Sequence, residues 1–274
     1  MRALVQMVQP LFIFAATVCR LLGDRYMGSP ERLLQTVLSQ EQGGDHISKL
    51  HMTYSPTLNQ QFAALSPYQE RERRRVVESF VSVVGTIVLL SSPLSPLSLS
   101  RILDVPLDAV THRIGLLRSV LNIPSDPHGA VRMLHLSFRD YLIDPAHRGV
   151  NEFWVDEVPV HENLGKKCLR IMRQELREDI CDLRVPGTLR SSVTKAHIDQ
   201  HIASELQYAC LYWIHHTVLG GANTEPDMQQ VDEIYTFFKA YFLHWLEIVS
   251  MIGRLTEGLF IIRKLYEWLP VSNT

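Results

Sequence analysis

Residues 131–145 constrain the fold more than any other stretch, because strand and helix signals follow each other there without a break. Val131, Met133 and His135 recur at every second position, which is the side-chain period of a strand. Residues 119–124 form a second short run of strand type, and a turn-rich stretch separates the two runs. The sequence therefore predicts a small β-hairpin whose second strand leads directly into a helix.

The helix that follows this strand carries its own start signal. Ser137 precedes Asp140 by three residues, the spacing of a capping box, in which a hydroxyl and a carboxylate bind the free amides of the first helical turn. Phe138, Tyr141 and Leu142 then fall on one face of the helix. We therefore predict an amphipathic helix that is capped by Ser137.

His135 lies at the junction between the predicted strand and the predicted helix. At that position the imidazole would lie near unpaired amides and the positive end of a helix dipole, where a phosphate group binds favourably. A neutral histidine in the core is the simpler explanation and the one that the residues alone favour, because a single histidine at a strand end is common and carries no motif. The residues alone leave both interpretations open and predict no reaction.

The composition of the 274 residues is that of a globular chain. Apolar residues make up 46%, which excludes gross disorder, and the length allows one or two domains with a sizeable core. The formal net charge of -2 leaves no excess of Lys and Arg for binding nucleic acid or an anionic membrane. We therefore expect no nucleic-acid partner.

The apolar runs and the cysteines indicate a protein of a reducing compartment. None of the apolar runs reaches the ~18 residues of a membrane span. Residues 3–19 imitate a secretory signal, but Gln6, Gln9 and Pro10 interrupt them. The cysteines lie far apart in apolar helical patterns without CxxC pairs, and they are Cys19, Cys168, Cys181 and Cys210. We predict buried reduced thiols, no membrane span and a cytoplasmic location.

Helical patterns also precede the hairpin. Residues 11–22 are apolar on nearly every face, so a helix there must be covered on several sides. Further helices are predicted at residues 30–38 and 47–62, the second interrupted at Pro56. Residues 70–75 are a charged stretch of Glu and Arg. Because opposite charges three and four residues apart stabilise an exposed helix, they predict a solvated face rather than a phosphate site.

Three predicted helices, at residues 76–90, 96–103 and 106–120, come directly before the hairpin. Three helices followed by a hairpin are the order of a winged helix. Beyond Pro145 the apolar spacing predicts stacked helix pairs, with helices at residues 160–176, 196–219, 231–252 and 255–269. We therefore predict a mainly α protein with a helical segment at residues 1–75, a winged-helix domain with a small β-hairpin at 76–145, and a stacked-helix arm at 146–274.

Winged helices commonly bind DNA through the third helix, so DNA binding is the alternative function. Asp104 and Asp108 would repel phosphate at the start of that helix. The basic or titratable side chains of the helix are too few for the several phosphate contacts that DNA affinity needs, and they are His112, Arg113 and Arg118. The sequence therefore disfavours this alternative.

The motifs of nucleotide hydrolysis and of zinc binding are missing from the sequence. Gly165-Lys166 imitates part of the phosphate loop Gly-x-x-x-x-Gly-Lys-Ser/Thr, but it lacks the first glycine and the Ser or Thr. Asp156 and Glu157 imitate the end of a Walker B strand, and without a phosphate loop we predict an ordinary loop. Two His and Cys groups lack four closely spaced zinc ligands, and they are His161 with Cys168, and Cys210 with His215 and His216. We predict neither catalysis nor a bound metal.

The stretch Leu-His-Leu-Ser-Phe-Arg-Asp-Tyr-Leu at residues 134–142 resembles the end of the winged-helix domain in fungal NACHT STAND NTPases. These are proteins of the heterokaryon-incompatibility type and relatives of animal NOD-like receptors. Further stretches resemble the segment after the NTPase core, the winged-helix core and the helical arm of that family, and they are residues 11–17, 80–90, 117–124, 208–215 and 242–253. The resemblance covers residues 11–269 and leaves out the NTPase core and the WD-repeat sensor.

In that family the histidine at this place contacts the phosphate of bound ADP, and His135 alone matches that role. The resemblance implies no cofactor for the chain in isolation, and ADP or ATP only where a NACHT domain is supplied. It implies a non-catalytic regulatory and interaction fragment. The expected partner is a second copy or a full-length NACHT protein, because the apolar helix at residues 11–22 would otherwise lose its cover.

Overall fold

The computed structural model describes residues 12–23, 49–63, 65–66, 68–221 and 228–269. The predicted helix at residues 30–38 lies outside these residues. The described chain is mainly helical, as predicted. Its contacts divide it into a first unit, Met1–Leu97 with Val105–Asp156, and a second unit, Ser98–Asp104 with Glu157–Thr274. The three domain ranges predicted from the sequence stay a prediction.

The first unit consists of short helices and, among the described residues, one pair of strands. In chain order they are α1 (Phe12–Gly23), α2 (Lys49–Asn59), α3 (Glu70–Phe80), α4 (Thr86–Leu89), the start of α5 (Pro96–Leu103), α6 (Leu107–Gly115), β1 (Leu121–Asn122), β2 (Arg132–Met133) and α7 (Ser137–Ile143). A π-helical stretch, Val81–Gly85, joins α3 to α4. Single 3-10 turns follow α2 and α7, at Gln60–Phe62 and Pro145–His147.

Helix α1 is amphipathic over the part whose side chains the structure describes. Thr17, Val18 and Leu21 are buried, whereas Cys19 and Arg20 are exposed. The prediction that Cys19 is a buried thiol is therefore wrong, because its side chain lies away from the packed face. The side chains of residues 12–14, which contribute to the predicted all-apolar surface, lie outside the described residues.

Helix α2 continues through Pro56, and the predicted interruption there is wrong. A proline inside a helix removes a backbone hydrogen bond and costs ~3 kcal/mol. Tyr54 and Leu58 of the same helix are almost completely buried. Burying a leucine side chain contributes about 2 kcal/mol, so packing of the helix against the core offsets the local cost of the proline.

Helix α3 carries the charged stretch, and it begins at Glu70, earlier than the predicted start at residue 76. Arg73 donates from Nη2 to Glu152 Oε1 at 2.7 Å, and its guanidinium carbon lies 4.0 Å from the centre of the Phe62 ring. The neighbouring arginines are exposed, and they are Arg71, Arg74 and Arg75. The predicted solvated face is confirmed, and one arginine of the stretch also packs on an aromatic ring.

The strands β1 and β2 pair antiparallel. Leu121 lies opposite Met133, and Asn122 lies opposite Arg132. The Leu134 amide continues the pairing by donating to the carbonyl oxygen of Val120 at 3.0 Å. Each strand is only two residues long, shorter than the predicted runs, and the chain turns from β2 into α7 within a few residues.

The second unit contains the remainder of α5, followed by α8 (Glu157–Glu175), α9 (Lys195–His201), α10 (Ser204–Gly220), α11 (Met228–Met251) and α12 (Leu255–Trp268). The helix predicted at residues 196–219 is therefore two helices. Ile202 and Ala203 have extended backbone angles between them. The side-chain amide of Gln207 donates to the carbonyl oxygen of Ile202 at 2.8 Å, which stabilises the break.

Three of the cysteines lie in the interior of the second unit. Cys168, Cys181 and Cys210 are buried and free, as predicted. Burial raises the pKa of the Cys168 and Cys210 thiols far above the ordinary value. A buried protonated thiol is a poor nucleophile and a poor metal ligand, so these two cysteines behave as apolar core residues.

Helices α8 and α10 approach each other closely because small residues lie between their backbones. A β-carbon at Gly165 would lie 2.9 Å from Thr217 Oγ1, and one at Gly220 would lie 2.5 Å from both the nitrogen and the Cα of Glu162. The two helices run antiparallel, since the later residue of α8 meets the earlier residue of α10.

We expect Gly220→Ala to destabilise the second unit by about 1–3 kcal/mol, because the new methyl group meets backbone atoms of Glu162 that cannot rotate away. The free energy of unfolding from urea titrations measures this effect. Gly115→Ala is the matched control, because a β-carbon at Gly115 has nothing within 4 Å. Equal unfolding midpoints for the two variants would contradict the close backbone contact.

Candidate functional site

The predicted site residue His135 lies just before α7, where this helix meets α2. The rings of Tyr54 on α2 and Phe138 on α7 pack with their centres 5.2 Å apart. Both rings are almost completely buried, so they fix the start of α7 against α2. This buried aromatic pair joins α2 to the first turn of α7, and His135 lies directly before that turn with its side chain exposed.

Ser137 does not cap α7, and the predicted capping box is wrong. Ser137 is the first helical residue, so the capping position belongs to Leu136. The side chain of Leu136 accepts no capping hydrogen bond. The imidazole of His135 satisfies the amide instead, because the Ser137 N–H donates to His135 Nδ1 at 3.1 Å. The Ser137 hydroxyl oxygen lies 2.6 Å from the same nitrogen.

His135 is exposed, which excludes the alternative of a neutral histidine in the core. Its Nδ1 accepts from a backbone N–H, and an N–H group can only donate. The neutral ring therefore carries its proton on Nε2. Both hydrogen bonds of the ring involve Nδ1, and the side chain is exposed, so within the described part of the chain the ring presents its Nε2–H as a donor at the surface.

The hydroxyl groups of Ser137 and Tyr54 form a hydrogen-bonded chain that holds the His135 ring in this orientation. The Tyr54 hydroxyl lies 2.7 Å from Ser137 Oγ. Burial raises the pKa of Tyr54, and the hydrogen bond to Ser137 opposes that rise. The phenol stays protonated at neutral pH and donates to Ser137, whose own proton then points to His135 Nδ1. The side chains of Tyr54 on α2 and Ser137 on α7, together with the Ser137 amide, thus hold one tautomer and one ring orientation of His135.

Three amides at the start of α7 are already bound within the chain. The Phe138 amide donates to the carbonyl oxygen of His135 at 3.2 Å, and the Asp140 amide donates to that of Leu136 at 3.1 Å. With the Ser137 amide bound to the imidazole, these first-turn donors are satisfied within the chain. An anion here would therefore meet the imidazole itself rather than these three amides, and the phosphate contact of His135 stays a prediction.

A second histidine cluster lies beside the same helices and was missed by sequence reasoning. The Tyr141 hydroxyl lies 2.9 Å from His51 Nδ1, and the His147 Nδ1–H donates to the carbonyl oxygen of Tyr141 at 3.0 Å. Burial raises the pKa of Tyr141 to about 12. Burial, followed by the proximity of His147, lowers the pKa of His51. The Tyr54 ring packs beside Tyr141, with the ring centres 5.5 Å apart. The sequence signal for this cluster is therefore the i, i+3 spacing that places His51 and Tyr54 on one face of α2.

The other candidate residues make contacts of their own. Lys166 lies in the middle of α8 and pairs with Glu162 at 2.6 Å, so the Gly165-Lys166 pair belongs to a helix rather than a phosphate loop. Asp156 lies in a loop, as predicted, but the loop prediction is wrong for Glu157, which is the first residue of α8. His161 and His216 bind each other through their Nδ1 atoms at 2.8 Å. Among the described residues, no group of three or more His, Cys, Asp or Glu side chains could hold a metal ion.

Helix α6, the helix that would read DNA, offers less positive charge than the sequence suggested. Arg113 is buried and donates from Nη1 to Gln61 Oε1 at 2.7 Å. His112 and Asp108 are exposed on the same helix, which ends at Gly115 rather than at residue 120. The removal of Arg113 from the surface lowers the number of cations that could contact phosphate.

Of the helices that the structure describes, none combines the length and the apolar content that crossing a membrane requires. The fold and the site define a mainly helical chain with two units and an exposed histidine held in one tautomer at a junction of strand and helix.

Comparison with known proteins gives one informative similarity. A stretch of 103 residues is 33% identical to the vegetative incompatibility protein HET-E-1 of Podospora anserina. The match covers 36% of this chain and 7% of that protein, so the chain spans a small part of the length of this relative. No protein-family model and no solved structure matches the chain. The similarity links part of the chain to a fungal vegetative incompatibility protein.

Proposed function

We propose that this chain is the non-catalytic regulatory and interaction part of a NACHT-type STAND signalling protein. Its winged helix and helical arm would couple a nucleotide state to a sensor. The partial identity to HET-E-1 and the mainly helical fold support the proposal. The observation that carries it is the orientation of His135, whose Nδ1 is bound by Ser137 and whose Nε2–H is directed outward.

An outward Nε2–H is the group that a phosphate oxygen needs, because phosphate oxygens are strong hydrogen-bond acceptors. A ring fixed by its neighbours loses little conformational entropy when it makes such a contact. The two Ser137 contacts and the Tyr54 hydroxyl therefore favour His135 as a preorganised donor to the phosphate of ADP. The nucleotide itself would be held by a NACHT domain.

The same proposal assigns no NTPase activity and no nucleotide or metal to the chain alone. The sequence has no loop of backbone amides and lysine that could surround a triphosphate, and no Ser or Thr beside it for magnesium. We place the protein in the cytoplasm, with a second copy or a full-length NACHT protein as partner. Neither the charge of α6 nor any comparison favours the alternative of a winged-helix DNA-binding protein.

In a chimera with a competent NACHT domain, we expect His135→Ala to weaken ADP retention by about 10-fold or more, the loss of one hydrogen bond to a charged group. The dissociation rate of a fluorescent ADP analogue measures it. Because His135 is exposed, the free energy of unfolding should fall by only about 1 kcal/mol, for the lost contact with the Ser137 amide.

His128→Ala is the matched control, since His128 is an exposed histidine of the same unit in the turn between the strands. It should leave ADP retention unchanged. The chain without a NACHT domain should neither retain ADP nor hydrolyse ATP. A large fall in melting temperature with unchanged ADP retention in His135→Ala would show that the histidine has only a structural role.

A further inference from the structure

Helix α12 presents a side that the described residues of its own unit leave uncovered. The helix packs on α11 through Gly258, where a β-carbon would lie 2.9 Å from Val249 Cγ1 and 3.6 Å from a ring carbon of Trp245. Ile261 and Leu265 continue this buried row. Because the contact passes through a glycine, α11 and α12 lie close together, and α12 also packs against α10.

A second row of apolar side chains follows α12 about 100° around its axis from the buried row. We call this row the α12 stripe, and it consists of Leu255, Leu259, Ile262 and Tyr266. Leu255 is 48% exposed, Leu259 70% and Tyr266 67%, while Ile262 is half-buried. Single exposed apolar residues are ordinary, but four on one side of one helix form a continuous surface.

The spacing of the α12 stripe is four, three and four residues, which is the heptad spacing of a helix that packs against another helix. The charges of the helix do not select an acidic or a basic partner. Arg263 and Lys264 balance Glu257 and Glu267, so Leu255–Trp268 is formally neutral. Arg263 also pairs with Glu267 at 2.9 Å, which neutralises the charges nearest to the stripe.

The α12 stripe matches itself when two copies run antiparallel. If the twofold axis passes between positions 260 and 261, Leu255 lies opposite Tyr266 of the second copy, and Leu259 lies opposite Ile262 of the second copy. Each layer is then apolar on both sides, as in an antiparallel helix pair. A large residue faces a large residue in every layer, and no like charges face each other across the seam.

We propose that the α12 stripe is a homodimer interface in which the α12 helices of two copies pack antiparallel. The surface belongs to the second unit alone. The proposal uses neither His135 nor a nucleotide, so it can fail while the proposed function holds, and the reverse is also possible.

Sedimentation velocity of the whole chain over a range up to tens of micromolar tests the interface. We expect a concentration-dependent dimer that Leu259→Glu shifts to monomer, with a dissociation constant weaker by about 100-fold or more, because two charges would enter an apolar seam. Phe260→Glu is the matched control, since Phe260 is 62% exposed but lies off the stripe. It should keep the dimer. Far-UV circular dichroism should show both variants folded.

Cysteine cross-linking tests the antiparallel register. In a Cys19→Ser background, which removes the exposed native thiol, a mixture of Leu255→Cys and Tyr266→Cys proteins should form a disulfide dimer. Each protein alone should not. The proposal is overturned if the chain is a monomer at every concentration, or if the dimer survives Leu259→Glu. It is also overturned if Phe260→Glu weakens the dimer as much as Leu259→Glu does, or if Leu255→Cys cross-links efficiently with itself.

Discussion

Acidification from about pH 7 to about pH 4 should destabilise the second unit by roughly 3 kcal/mol through His216 alone. His216 is 0% exposed, and burial, together with the nearby His161 and His215, lowers its pKa to about 3. An unfolded histidine has a pKa near 6.5, so the unfolded chain binds this proton at a higher pH than the folded chain does. Stability is therefore complete above about pH 6.5 and falls as the pH drops below it.

The geometry around His216 explains why the neutral form is held. Its Nδ1 lies 2.8 Å from His161 Nδ1 on α8, and its Nε2 lies 2.7 Å from the Tyr208 hydroxyl. The pair is satisfied when one histidine donates and the other accepts, with Tyr208 completing the chain. An added proton would place a desolvated charge between α8 and α10, close to His215. The pKa of His215 is itself lowered, first by burial and then by the nearby Lys264.

Urea titrations at a series of pH values, followed by the fluorescence of the buried tryptophans, give the free energy of unfolding at each pH. His216→Gln should reduce the slope of that free energy between about pH 6 and pH 4, since it removes the titrating group while keeping a polar side chain. His112→Gln, a substitution of an exposed histidine on α6, is the control. Equal slopes in wild type and His216→Gln would contradict the buried neutral pair.

Trp245→Ala should destabilise the second unit by about 3–5 kcal/mol, the largest effect we expect of a single substitution. Trp245 is fully buried, and its indole N–H donates to the carbonyl oxygen of Cys210 at 2.9 Å, which ties α11 to α10. The same ring packs against Gly258 of α12. Removing it leaves a cavity where three helices meet, and neighbouring side chains can fill such a cavity only in part.

Trp245→Phe separates the two parts of this effect, because a phenyl ring restores most of the packing but not the hydrogen bond. Trp245→Phe should destabilise the second unit by roughly 1–2 kcal/mol, which is less than the effect of Trp245→Ala. Tyr235→Ala on the same helix is the control, since Tyr235 is exposed, and it should change the free energy of unfolding by less than about 0.5 kcal/mol. A Trp245→Ala protein as stable as Tyr235→Ala would show that α10, α11 and α12 do not share this core.

The sequence could reveal the helices because periodicity is a local property. The predicted helices at residues 231–252 and 255–269 correspond closely to α11 (Met228–Met251) and α12 (Leu255–Trp268). Their apolar spacing at three and four residues fixes both the element and its buried side without any knowledge of the partner. The failures were at places where a local preference opposed packing, such as the proline inside α2.

The candidate site could be predicted only in part. Sequence placed His135 at the end of a strand, next to Ser137, but it assigned the cap to the serine hydroxyl. The serine hydroxyl is instead held by Tyr54, which is 83 residues away in the chain. A hydrogen bond across that separation depends on the packing of α2 against α7, so it leaves no signal in the spacing of residues near His135.

The sequence by itself determined that this protein is mainly helical and that His135 lies where a strand leads into a helix. These follow from local free energies, which the side chains within one or two turns decide. Only the tertiary structure decided that His135 is exposed with an outward Nε2–H, that His161 and His216 form a buried pair, and that Cys19 lies outside the core. Burial and long-range hydrogen bonds depend on which helix faces are brought together, and that is a property of the whole packed unit.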